Sequence, residues 1–175
     1  MVNVKIKKMI KRIIGIICIT FTIFYLFNLP VVVAENEDTI KYETISPKYG
    51  YKYLFKRLRE KITLFVLSKN PLRKADYYSK LLDKRLAELK QVVEEKDIGN
   101  IETTSQRYSS TLGELVNFIK QNNLVEMKTK ILAKMAEQLP LLESYQKNYS
   151  FNTAEWRFVE HDIDYLKEYS SMLSK

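Results

Sequence analysis

The sequence predicts an all-α protein, an antiparallel bundle of four to five helices after an N-terminal signal or anchor segment. Three observations carry that prediction. The 175 residues include only four glycines and four prolines, too few for a many-turned β chain or a collagen-like one. Beyond residue 50, apolar side chains recur at three- and four-residue steps, the helical period. Near the N-terminus a run of 21 uncharged residues, 13–33, follows a basic cluster.

That cluster is Lys5, Lys7, Lys8, Lys11 and Arg12, and no acid precedes Glu35. At about 1.5 Å per residue the uncharged run reaches about 30 Å, the thickness of a bilayer's hydrocarbon core. The positive end belongs in the cytoplasm, which puts residues 35–175 outside. Two forms of the segment stay open. One is a signal peptide with Asn28-Leu29-Pro30 as breaker and a cut after Ala34. The other is an uncleaved anchor in the cytoplasmic membrane, and the product is secreted or anchored accordingly. Cys18 sits within the apolar run and reads as a small hydrophobe. The organisation is thus 1–34 signal peptide or anchor, 35–47 polar tether and 48–175 helical bundle.

Charge follows the same division. Five of the 29 bases precede Ala34 and all 21 acids follow it, so the remainder carries +3 rather than +8. The overall basicity is therefore mostly a targeting signature, and nucleic acid is not an expected partner. Within the remainder, residues 35–47 carry −3, residues 48–90 carry +9, and residues 91–175 carry −3.

Each helix has its own signals. Ser46-Pro47 offers a capping hydroxyl followed by a proline suited to a first turn. Tyr51, Leu54, Phe55, Leu58, Ile62, Phe65 and Val66 then form one stripe, expected to be buried. Asn70-Pro71 repeats the start signal for a second helix burying Ala75, Tyr78, Leu82, Leu86, Leu89 and Val93. Its outer face pairs Asp76 with Lys80 and Lys84 with Glu88. Gly99 is the expected left-handed stop. A third helix aligns Ile101, Tyr108, Leu112, Leu115, Val116 and Ile119, and Gln121-Asn122-Asn123 closes it. The fourth carries Met127, Ile131, Met135, Leu139, Leu142, Tyr145 and Tyr149. Pro140 interrupts its hydrogen bonding without breaking its apolar phase, which favours one kinked helix over two. Asn152 and Glu155 suggest a capping box for a fifth helix with Trp156, Val159, Ile163, Leu166 and Leu173 inward. Trp156→Ala is expected to cost the most, about 3–5 kcal/mol if the ring is buried.

Chemistry is sparse. With one cysteine and one histidine, neither a disulfide framework nor a Cys-based zinc cluster can form. Glu160-His161-Asp162 and Asp164 offer too few converging ligands for zinc and read as a solvated acidic face. No glycine-flanked serine elbow or phosphate loop occurs. The expected site roster therefore has no catalytic, cofactor-binding or metal-binding residue, and no cofactor. In the run Lys48-Tyr49-Gly50-Tyr51-Lys52-Tyr53-Leu54-Phe55, aromatics alternate with bases; Tyr51, Leu54 and Phe55 read as core flanked by lysines.

The first two helices resemble a known family, the uncharacterised bacterial domain of unknown function 5667, found behind signal or anchor segments. The resemblance rests on Ser46-Pro47, on Tyr53-Leu54-Phe55-Lys56-Arg57-Leu58-Arg59-Glu60, and on Arg85-Leu86-Ala87-Glu88 in the second helix. It covers residues 45–119 and implies export and a helical fold, with no catalytic residues to transfer.

The functional expectation is a non-enzymatic extracytoplasmic module that binds or scaffolds at the bacterial cell envelope. The alternative is a metal-dependent or carboxylate-based hydrolase without a recognisable motif. If the apolar stripe of the first helix is placed at zero, Lys52, Lys56 and Arg59 fall at about 100°, 140° and 80°, at the helical step of about 100°. They form a basic strip expected to contact an anionic surface, phospholipid head groups or wall polymer. The alternative is that these bases shield the core edge or pair with the acidic C-terminal half. The partners expected of the module are an anionic membrane, a cell-wall surface or an envelope protein.

Overall fold

The computed structural model describes residues 50–175. The expected signal or anchor segment, the tether, Cys18 and the Ser46-Pro47 start lie outside the described residues. The described residues form five α-helices: α1 (Gly50–Val66), α2 (Pro71–Glu94), α3 (Ile98–Gln121), α4 (Val125–Gln146) and α5 (Ala154–Ser174). A 3-10 turn, Leu67–Lys69, joins α1 to α2. No strand occurs among the described residues, and none of their helices is long and apolar enough to cross a membrane.

Local chemistry explains where the helices start and stop. Asn70 caps α2 by accepting from the Arg73 amide at 3.1 Å, and Pro71 occupies the first turn as expected. The α2 stop is displaced from its expected place. Lys96, not Gly99, takes the left-handed position (φ 52°), while Gly99 lies in the first turn of α3. The Asp97 amide then reaches back to the Val92 carbonyl at 3.0 Å, which satisfies an end carbonyl that α2 cannot. Asn123 (φ 51°) ends α3 the same way, its neighbour Leu124 donating to the Ile119 carbonyl at 3.1 Å. The α5 cap is Thr153 rather than Asn152: its hydroxyl accepts from the Trp156 amide at 3.3 Å. Asn152, itself left-handed, accepts instead from Arg157. Across Pro140, α4 is one uninterrupted helix.

Helices α2 to α5 build the core as two hairpins laid side by side. Consecutive helices run antiparallel. Across the hairpins, Lys130 and Lys134 of α4 meet Asp76 and Asp83 of α2 in the same order, so α2 and α4 run parallel. Likewise α3 and α5 run parallel, with Ser105 beside Phe158 and Gly113 against Tyr169. A Cβ at Gly113 would lie 2.8 Å from the Tyr169 hydroxyl, so glycine permits this close approach. Between the hairpins sit Leu82, Leu89, Ile101, Leu112, Leu115, Ile131, Met135 and Leu142, all fully buried. Tyr108 lies among them, and its hydroxyl donates to the Gln138 side chain at 2.8 Å. Gln138 in turn donates to Asp83 at 3.0 Å, so the phenol is buried without an unmet donor.

Trp156 is not part of that core. It is half-buried and meets the exposed Phe151 edge-on at 4.9 Å between centroids. A ring that keeps part of its surface in water loses less on truncation. Trp156→Ala is expected to cost about 1–2 kcal/mol, against about 2–5 kcal/mol for Leu112→Ala. Thermal melts of the two variants check this ranking, and a larger loss at Trp156 would contradict it.

Candidate functional site

Helix α1 is mounted on the bundle by its polar face. Only Tyr53 and Glu60 of its residues are buried, and its backbone approaches α2 closely only near the connecting turn. Long charged side chains bridge the gap. Lys56 pairs with Glu88 and Glu60 pairs with Arg85, while Arg85 also donates to Glu88 at 3.0 and 3.1 Å. The pairing runs 56 to 88 and 60 to 85, so α1 and α2 are antiparallel. Two bases and two acids cancel, and the network is nearly sealed from water. Burial works to lower the Arg85 pKa, but Glu88 and Glu60 outweigh it and hold the guanidinium above its ordinary pKa. Tyr53 extends the network to α3: its hydroxyl accepts from Arg107, whose guanidinium also stacks 4.5 Å from the ring centroid. Burial, with Glu88 adding to it, raises the Tyr53 phenol above its usual value.

The opposite face of α1 is bare. Tyr51, Leu54, Phe55 and Phe65 are 67–80% exposed, and Leu58, Ile62 and Val66 are exposed too. The stripe expected in the core therefore faces outward. The physical reason lies on α2, which offers α1 a charged pair, Arg85 and Glu88, in place of an apolar groove. Only complementary charges can cover such a pair without leaving it desolvated and unmatched. The same surface removes Glu88 from its expected surface pairing with Lys84, whereas the expected Asp76–Lys80 pair is present at 3.1 Å.

The three expected contact residues part company. Lys52 and Arg59 are exposed. Lys56 is turned inward, its side chain 8% exposed and bound to Glu88. A base absent from the expected strip completes the outer face: Lys61 is exposed and lies at about 280° on the same wheel, bordering the apolar stripe on its other side. Its angle was readable from the sequence. The apolar face thus has Lys52 and Arg59 on one edge and Lys61 on the other. Glu60, the one acid of α1, points inward.

The acidic run on α5 also divides. His161 and Asp164 are exposed and Glu160 accepts from Gln146. Asp162 departs from the expected solvated face: it is 1% exposed, and neither carboxyl oxygen has a hydrogen-bond partner among the described residues. The hydroxyls of Ser105 and Ser109 lie near it but donate to backbone carbonyls. Burial pushes the Asp162 carboxyl up to about 8, and the two nearby hydroxyls only weaken that effect. The phase would have placed it correctly, three residues after Val159 and four before Leu166. Among the described residues no group of three or more His, Cys, Asp or Glu side chains is placed to hold a metal ion.

A family model described as a domain of unknown function, DUF5667, matches residues 50–150. The match takes in α1 and the whole polar mount. No curated protein and no solved structure matches the chain.

Proposed function

The chain belongs to the DUF5667 family, and on that premise we propose that it is a non-enzymatic extracytoplasmic module that docks on the anionic outer face of the cytoplasmic membrane. One observation carries this reading: the apolar face of α1 is exposed and bordered by bases on both edges. Such a helix lies in the interface with its apolar side among acyl chains and its bases at the head groups. Seven exposed apolar side chains on one helix also make a larger patch than solubility alone favours.

Chain length suits the same occupant. Residues 34–49 separate the uncharged run from α1, and sixteen extended residues span at most about 55 Å. A domain held by residues 13–33 could therefore lay α1 on the same bilayer. Export itself rests on the basic cluster and uncharged run.

Co-sedimentation of the fragment from Glu35 with phosphatidylglycerol vesicles tests the reading. Each base near an anionic surface contributes about 1 kcal/mol, so replacing Lys52, Arg59 and Lys61 by Gln is expected to weaken binding on the order of a hundredfold. Raising the salt should weaken wild-type binding, since screening acts beyond about 8 Å at physiological ionic strength. Serine at Leu54, Phe55 and Phe65 should weaken binding at every salt concentration. Absence of binding at low salt, or indifference to both sets of substitutions, refutes the proposal.

A further inference from the structure

On the inner side of α1, away from the apolar stripe, a cleft of about 340 Å³ opens between α1, α2 and α3. That volume is within the range of small-ligand sites. Its walls bring together guanidiniums from three helices: Arg57 of α1, Arg85 of α2 and Arg107 of α3. Arg85 is satisfied by Glu60 and Glu88. Arg57 and Arg107 form no ion pair among the described residues. Arg107 is held in place by the Tyr53 hydroxyl and ring, so its planar fork is fixed before any ligand arrives. Burial, together with repulsion from Arg57 and Arg85, lowers the Arg107 pKa despite opposing help from Tyr53 and Glu88. An anion between Arg57 and Arg107 would relieve that repulsion.

We propose that this cleft binds a small monocarboxylate that carries hydroxyl or amide groups. The carboxylate is assigned to Arg57 and Arg107, whose forks match its two oxygens. Four bases and two acids, Glu60 and Glu114, line the cleft. Both acids would repel a dianion, which sets a carboxylate above a phosphate. Gln106 and Ser110 on the α3 wall supply hydrogen-bonding groups for the rest of the ligand, and Glu114 can accept from its hydroxyls or amide. The carboxylate contacts are separate from lipid docking, because neither Arg57 nor Arg107 lies on the outer face of α1; Lys61 alone borders both surfaces.

The test is calorimetric titration of the full chain in nanodiscs of neutral lipid, with glucuronate, N-acetylglycine, acetate and inorganic phosphate as probes. Glucuronate or N-acetylglycine is expected to bind more tightly than acetate or phosphate. Arg57→Gln should weaken that binding about tenfold, the loss of one charge-assisted pair. Among the described residues Arg57 makes no ion pair, so the melting temperature of this variant should stay at the wild-type value, and Arg107→Gln should weaken the same probe. Gln at Lys52 and Arg59, two lipid-docking bases that do not line the cleft, should leave it unchanged. Absence of binding by all four probes overturns the proposal. So does phosphate binding as tightly as the carboxylates, or wild-type affinity in both arginine variants.

Discussion

Asp162→Asn is expected to remove a fall in stability that the wild-type protein shows as the pH rises from about 4 to about 8. In the folded chain the Asp162 carboxyl is pushed up to about 8, whereas in the unfolded chain it returns to the ordinary 3.8. Between those values the folded state keeps a proton that the unfolded state has released. Stability then declines with pH at about 1.4 kcal/mol per unit for this one group, approaching about 6 kcal/mol in total. The contribution is intact below the unfolded value and lost above the folded one. Asparagine resembles the neutral acid in shape and cannot ionise. The variant should match wild type near pH 4 and exceed it by several kcal/mol above pH 8. Asp76 does not confuse the reading: Lys130 and Lys80, working against burial, hold its carboxyl below the usual value, so its effect falls at lower pH. Urea unfolding at a series of pH values measures the slope. An unchanged slope in the variant would show that Asp162 is ionised in the folded protein.

Glu88→Ala is expected to cost about 3–5 kcal/mol, because it strands Lys56 and half of the Arg85 pairing in a buried setting. Lys56 has Glu88 as its ion-pair partner, and Arg85 keeps only Glu60. The loss should concentrate in α1, whose hold on the bundle is this network. Hydrogen exchange should show α1 amides losing protection first, while α3 amides follow the global stability. Restoring balance should restore stability: Lys56→Met combined with Glu88→Gln removes one charge of each sign and should recover most of the loss. Glu94→Ala, which breaks the exposed 3.6 Å pair with Lys90, should change stability by at most about 0.5 kcal/mol. A loss below about 1 kcal/mol for Glu88→Ala would mean that α1 is held by something other than its charges.

These two residues also mark where sequence reading stopped. Both are acids, and an acid on a helix is ordinarily placed in water. Glu88 stood in a four-residue pairing with Lys84 that looked complete by itself. Arg85 and Lys56 drew it away, and their nearness depends on how α1 lies across α2. Asp162 belonged to an acidic run whose members point in different directions around the helix. Grouping them by composition hid the fact that one shares the phase of Val159 and Leu166. The resemblance motif was more informative than its individual parts. Tyr53, Lys56 and Glu60 from its first segment meet Arg85 and Glu88 from its second in one network. No spacing along the chain links the two segments; the contact exists only once α1 has folded back.

Sequence alone determined the helical class, the junctions near residues 70, 97, 123 and 153, and the inward faces of α2, α3 and α4. Those features follow from short-range causes: caps, left-handed stops, and an apolar period that has one large partner surface to meet. Tertiary structure alone decided which way α1 faces. Its helix has two usable sides, one apolar and one charged, and periodicity specifies both equally well. The choice belongs to the neighbour. α2 presents Arg85 and Glu88, and a buried charge pair is covered at least cost by opposite charges. Lys56 and Glu60 therefore turn inward, and the apolar stripe of α1 is left facing out.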